Sequence, residues 1–399
     1  MKRILLSFGI LATAVVRAAE PELSDVAITQ LSNRLVEVSY TLSGARAIVT
    51  PVFRVDGEAI DMKDAVTLGG DVRRIVAPGA RRFVWDPRTD WKGEELEAER
   101  LSVELRAWSV EAPPPKMVVD LDPFVQSSPS NVLFYVSEGE LPGGVADARY
   151  RTTKLLMTLV PARNVRWRMG DGTAAGSKYV TLSKDFYISA FTFTQGQSLT
   201  ALGTAGNYNT GHEDSAFCPV EPKYESLRKQ TYGKADVPDG CWIKTLRVQT
   251  GLPFDLPSEF QWEYAMRGGA ETLTDMNDYG WWGKGATWMW GSCSGNAAWT
   301  TCSRDGAHPV GLKKPNAFGV YDIVGNVREY TRTGYEDLDT AEERDPEGAV
   351  TDGNYVVRRS GRHSGDDESC QKLSYRNKFW YASENNNTGF RLVLPVDWN

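Results

Sequence analysis

Five cysteines and three histidines are the residues best suited to covalent or metal chemistry in this chain: Cys218, Cys241, Cys293, Cys302 and Cys370, with His212, His308 and His363. No Cys-x-x-Cys is present, and no histidine stands at zinc-ligand spacing from a cysteine, so the pattern argues against a structural zinc site. In an oxidising compartment an odd number of thiols leaves at least one without an intramolecular partner. Proximity favours the pairs Cys218–Cys241 and Cys293–Cys302, leaving Cys370 over, although the sequence does not choose among the other arrangements. A second kind of chemistry is stacking. Tyr279-Gly280-Trp281-Trp282-Gly283 and Trp288-Met289-Trp290 place Trp281, Trp282, Trp288 and Trp290 where they could stack on sugar rings, or fill a loop-rich core instead. Asp366-Asp367-Glu368 reads as a solvated acidic loop.

The elements that must carry these residues fall into blocks. Lys2 and Arg3 precede the apolar run Ile4 to Val16, and Val16-Arg17-Ala18 supplies a small-residue cleavage site, so residues 1–18 read as a signal peptide and the protein as exported. The run is too short to span a bilayer, and no later stretch is long and apolar enough, so no membrane span is expected in the mature chain. Net charge is −7, and removing the three basic residues of the leader makes it more negative still; such a protein is a poor binder of nucleic-acid phosphates. Residues 19–111 alternate with period two, as in Val36, Val38, Tyr40 and Leu42, or Leu101, Val103, Leu105 and Ala107. This is the pattern of half-buried strands and predicts an all-β sandwich of immunoglobulin or fibronectin type. Pro113-Pro114-Pro115 then marks a semi-rigid boundary, and residues 112–163 read as a linker with lead-in strands at Val132–Val136 and Leu155–Val160.

From residue 164 to 399 the texture is irregular, rich in Gly, Trp, Asn and Asp. The clearest helix follows Leu256-Pro257: Ser258 and Gln261 fit a capping box, and Gly268-Gly269 supplies the stop. Within it, Trp262 and Glu263 read as packing and capping.

Five segments in one order carry a resemblance. They are Asp185 to Gln195 (DFYISAFTFTQ), Leu256 to Ala265 (LPSEFQWEYA), Pro315 to Tyr330 (PNAFGVYDIVGNVREY), Arg359-Ser360-Gly361, and Thr388 to Leu392 (TGFRL). Together, from about Val165 to Leu394, they resemble the formylglycine-generating enzyme or sulfatase-modifying-factor family. The resemblance implies an α+β architecture overall, with the sandwich followed by an irregular C-type-lectin-like domain. Its oxidases hold Cu(I) through a Cys-x4-Cys pair just after the Gly-Gly-Ser strand, and soft Cu(I) prefers two thiolates. Here the first of those positions is Gly365 and the second Cys370, so the copper pair is incomplete. His363 with Cys370 is the remaining candidate for a non-standard oxidase site acting on a sulfatase cysteine. A related branch uses a histidine-rich iron domain, for which three histidines are too few.

The same resemblance implies structural Ca2+ on the loop Tyr321–Tyr330, with side-chain oxygens from Asp322 and Glu329 and backbone carbonyls from Gly325 and Val327; mixed hard oxygens of this kind suit the ion. A second calcium position would fall near Asn296, Ala297 and Asp305. The expectation is therefore an exported, catalytically divergent family member that binds a protein, peptide or glycan ligand.

Overall fold

The computed structural model describes residues 19–398 apart from 32–34, 65–66, 92–95, 125–129, 174–175, 205–214, 230–236, 270–277, 282–306, 348–354, 363–369, 371 and 384–386. The leader, His212, Cys293, Asn296, Ala297, Cys302, Asp305, Trp282, Trp288, Trp290, His363 and Gly365 lie outside the described residues.

Alternation along Val36–Ser43 turns Val36, Val38, Tyr40 and Leu42 inward, and two antiparallel sheets close over them. One sheet runs Glu22–Gln30, Val36–Ser43, Gly79–Trp85 and Gly69–Gly70. The other centres on Ala47–Val55, which pairs with Glu58–Ala59, Ile75–Val76 and Leu101–Ser109. Phe53 from one sheet stacks on Trp85 from the other with ring centroids 4.5 Å apart. This sandwich is not a loose appendage. Ile48 packs in the same apolar cluster as Met117 and Phe134, and the Phe134 amide donates to the Arg73 carbonyl at 2.7 Å.

The proline boundary is built into the second half. Pro113 and Pro114 are buried, the Tyr187 hydroxyl donates to the Pro114 carbonyl and the Leu159 amide to that of Pro115. Residues 112–163, read as a linker with lead-in strands, supply three strands, Lys116–Asp120 and the two expected ones at Val132–Tyr135 and Lys154–Val160, to a five-stranded sheet completed by Phe186–Ser189 and Val393–Pro395. Its strands are nearly continuous runs of apolar residues because both faces are covered.

A second sheet of four strands runs Arg376–Trp380, Tyr355–Arg359, Arg328–Gly334 and Thr388–Phe390. The helix Glu259–Arg267 lies against its Arg328–Gly334 and Tyr355–Arg359 strands. It starts where the capping box predicts: Ser258 accepts from the Gln261 amide, the Gln261 side chain accepts from the Ser258 amide, and Gly268 ends the helix in the left-handed conformation. No helix among the described residues is long and apolar enough to cross a membrane.

The proximity pairing Cys218–Cys241 is not formed. Both thiols are buried, but Cys218 Sγ is directed at the Ala307 carbonyl and Cys241 Sγ at the Pro238 carbonyl, so the sulfurs serve different loops.

Candidate functional site

The Tyr355–Arg359 strand delivers a guanidinium into the core before its loop begins. Arg359 is fully buried, donates to Glu259 at 3.3 Å, to Glu263 and to the Leu373 carbonyl, and lies over the Trp262 ring. Arg376 from the neighbouring strand grips Glu259 from the other side, and Arg267 grips Glu263 one helical turn along. Glu263 also accepts from the Gly170 amide at 2.9 Å. Two buried carboxylates are thus matched by three guanidiniums, which compensates charge that burial alone would make very costly. The sequence reading of Glu263 as capping missed this. The signal was present in the form of acidic residues on a helix that is otherwise buried all round.

Immediately after Arg359, Ser360 takes φ +63°, a left-handed conformation that is strained for a residue with a Cβ. Its Oγ accepts the Gly325 amide at 2.9 Å, joining this strand end to the Tyr321–Tyr330 loop. Gly325 itself cannot carry a side chain: at φ +74°, a Cβ would lie 1.8 Å from the Trp281 carbonyl oxygen. Farther along, Cys370 is half-buried and in no disulfide. Burial, with Cys370 alongside, raises the Tyr375 hydroxyl above the usual phenol range.

A second buried charge centre meets the same helix at Trp262. Both Glu329 and Arg391 are buried. Arg391 Nε donates to the two Glu329 oxygens, while Thr192 Oγ1 donates to Oε1 at 3.0 Å and Trp262 Nε1 to Oε2 at 2.7 Å. The other Arg391 nitrogens bond the carbonyls of Ser189, Ala190, Tyr321 and Asp322. Asp322 is buried at φ +51°. Its Oδ2 accepts the Gly311 amide at 2.6 Å, and its Oδ1 has no hydrogen-bond partner among the described residues. Burial pushes this carboxyl up to about 6, against the pull of Gly311, Arg391 and Arg151.

At the four positions named for calcium, the Asp322 and Glu329 side chains already take part in this network. The Glu329 oxygens are taken by Thr192, Trp262 and Arg391, and the cationic charge beside Asp322 comes from guanidiniums, so Ca2+ would have to displace a donor. Trp281 is no stacking platform: it is buried, its ring lies 4.0 Å from that of His308, and Lys313 covers it. A cleft of about 570 Å³ opens between Phe186, Ser258, Arg332 and Pro346, but its cations are already paired, Arg247 with Asp255 and Arg332 with Glu347.

The five sequence segments thus converge. Arg391 reaches Glu329 and the carbonyls after Phe186–Ser189; Trp262 reaches Glu329; Arg359 reaches Glu259 and Glu263; and Ser360 holds Gly325. Residues 144–396 match the sulfatase-modifying factor enzyme 1-like domain.

The chain belongs to the sulfatase-modifying factor family.

Relatives of this sulfatase-modifying factor protein include the chaperone protein LppX of Paenibacillus barcinonensis, 28% identical over 185 residues, covering 38% of this chain and 63% of that one. The formylglycine-generating enzyme of Streptomyces coelicolor is 30% identical over 152 residues, covering 36% of this chain and 47% of that protein. The chain spans less than two thirds of the length of each of these curated relatives. Among solved structures, Treponema denticola variable protein 1 is 20% identical with a TM-score of 0.47, covering 61% of this chain and 95% of its own. PvdO from Pseudomonas aeruginosa is 21% identical with a TM-score of 0.44, covering 60% and 94%. The sulfatase-modifying factor domain so matched is α+β, strands outnumbering helices.

Proposed function

We propose that this chain is an exported, non-catalytic binding or scaffold member of the sulfatase-modifying factor family. One observation carries the reading: the position that would hold the first copper thiolate is Gly365, leaving Cys370 as a single sulfur. Glycine offers no side-chain donor, and one thiolate cannot make the two-sulfur site Cu(I) prefers. The buried ion pairs of Arg359 with Glu259 and Glu263, and of Arg391 with Glu329, are in place, which supports a retained scaffold. A relative called a chaperone protein supports a role in assisting another polypeptide. Export rests on the leader-like residues 1–18.

The test is direct. Purified full-length protein is incubated with copper, oxygen and a sulfatase-type Cys-x-Pro-x-Arg peptide, and the peptide mass is followed. No conversion of thiol to aldehyde is expected. Conversion that disappears in Cys370→Ala would establish the oxidase instead, with His363 and Cys370 as its site. N-terminal sequencing of protein recovered from outside the cytoplasm should find a chain beginning near Ala19.

A further inference from the structure

The Arg376–Trp380 strand is an edge of the four-stranded sheet, and in its register Trp380 stands opposite Tyr355. Residues 376, 378 and 380 therefore share a face with 355, 357 and 359. At one end of that face the Glu259–Arg267 helix covers Arg359 and Arg376. At the other end the face is open. Tyr355 is 43% exposed and Trp380 49%. The Tyr335 amide bonds the Tyr355 carbonyl, which brings a third ring to the same ledge.

Lys378 lies among these rings. Its Nζ is 4.6 Å from the Tyr355 centroid and 5.3 Å from that of Tyr335. It makes no ion pair among the described residues, although Glu336 and Asp337 follow Tyr335 in sequence. Its neighbour Arg376 differs, its charge being matched by Glu259. The Trp380 indole makes no hydrogen bond and meets no ring among the described residues. Single exposed apolar side chains need no explanation, but two tyrosine rings holding an ammonium without an ion pair among the described residues, with Trp380 two residues on along the same strand face, make a patch with defined chemistry: a flat apolar surface beside one positive charge.

We propose that Tyr335, Tyr355, Lys378 and Trp380 form a binding ledge for a uronate-bearing saccharide. One pyranose lies on the Trp380 indole, and its carboxylate meets the Lys378 ammonium. The spacing suits this pairing. Residues two apart on a strand sit about 6.6 Å from each other on one face, enough for a sugar ring over one side chain and its ring-edge carboxylate beside the next. The overall negative charge of the protein works against non-specific capture of anionic polymers, so retention of one requires a local cation. This inference goes beyond the proposed function and stands whether or not the chain oxidises cysteine.

Titration of full-length protein with oligogalacturonate, followed by tryptophan fluorescence and calorimetry, tests it. Binding should weaken about tenfold in Trp380→Ala and recover in Trp380→Phe. Lys378→Gln should weaken binding and remove most of its salt dependence, whereas Trp380→Ala should leave the salt dependence in place. Lys378 on an edge strand also has a purely protective reading against aggregation, under which neither variant would alter a saccharide titration. No binding by the wild-type protein, or binding indifferent to both substitutions, would overturn the proposal. Binding of dextran sulfate or polyglutamate without oligogalacturonate would overturn it too, in favour of a sulfated chain or an acidic peptide.

Discussion

Arg391 Nε lies 2.8 and 3.0 Å from the two carboxylate oxygens of Glu329, and both side chains are buried. The two residues are far apart in sequence, yet the pair ties the strand Arg328–Gly334 to the chain leaving Thr388–Phe390, and through carbonyl bonds to Ser189 and Asp322. It therefore acts as the joint where three family segments close on one another.

Removing one half of that joint should be severe. Arg391→Met leaves Glu329 charged with only Thr192 and Trp262 as donors, at a cost of about 3–5 kcal/mol. Urea unfolding should show the loss, and Arg391→Met with Glu329→Gln should restore part of it. Equal destabilisation in the single and double variants would mean that the uncompensated charge is not the cause.

Ser360 sets strain against a hydrogen bond. Relieving φ +63° with glycine gains roughly 1–2 kcal/mol, while the buried Gly325 amide loses its acceptor at about 1–3 kcal/mol, so Ser360→Gly should be near neutral. Ser360→Ala keeps the strain and loses the bond. It should be the less stable of the two by thermal unfolding, and the reverse order would refute this account.

The cysteines give a chemical test. Cys218 and Cys241 are thiols, so each should react with a thiol reagent in denaturant without prior reduction. Their single alanine variants should show the cost of small cavities. A shared loss of about 2–5 kcal/mol, equal to that from adding reductant, would instead reveal a disulfide.

Calcium should leave the melting temperature unchanged relative to EDTA. Calcium at 100 times its Kd would add about 2.7 kcal/mol. A rise of that size, lost in Asp322→Ala, would mean that the ion displaces a donor from Glu329.

What could be read along the chain was what neighbouring residues decide. The capping box at Ser258 and Gln261, the stop at Gly268 and the alternation of Val36–Ser43 depend on contacts two to four residues away, and all three stand in the structure. The family segments were legible for a related reason, since short motifs preserve residue type even when the partners are distant.

Direction and partnership were not legible. Trp281 offered a stacking ring to the sequence, and only the fold turns it inward against His308. Glu329 offered a calcium oxygen, and only the fold brings Arg391 onto it. The proline run promised a spacer, but buried Pro113 and Pro114 join the strands beyond them to one sheet. The amino-acid sequence thus determined the family and the helix limits, because these follow from residue identity and local spacing. Tertiary structure alone decided which charges are neutralised and which rings face water, because partners brought together by long-range folding carry no local periodicity.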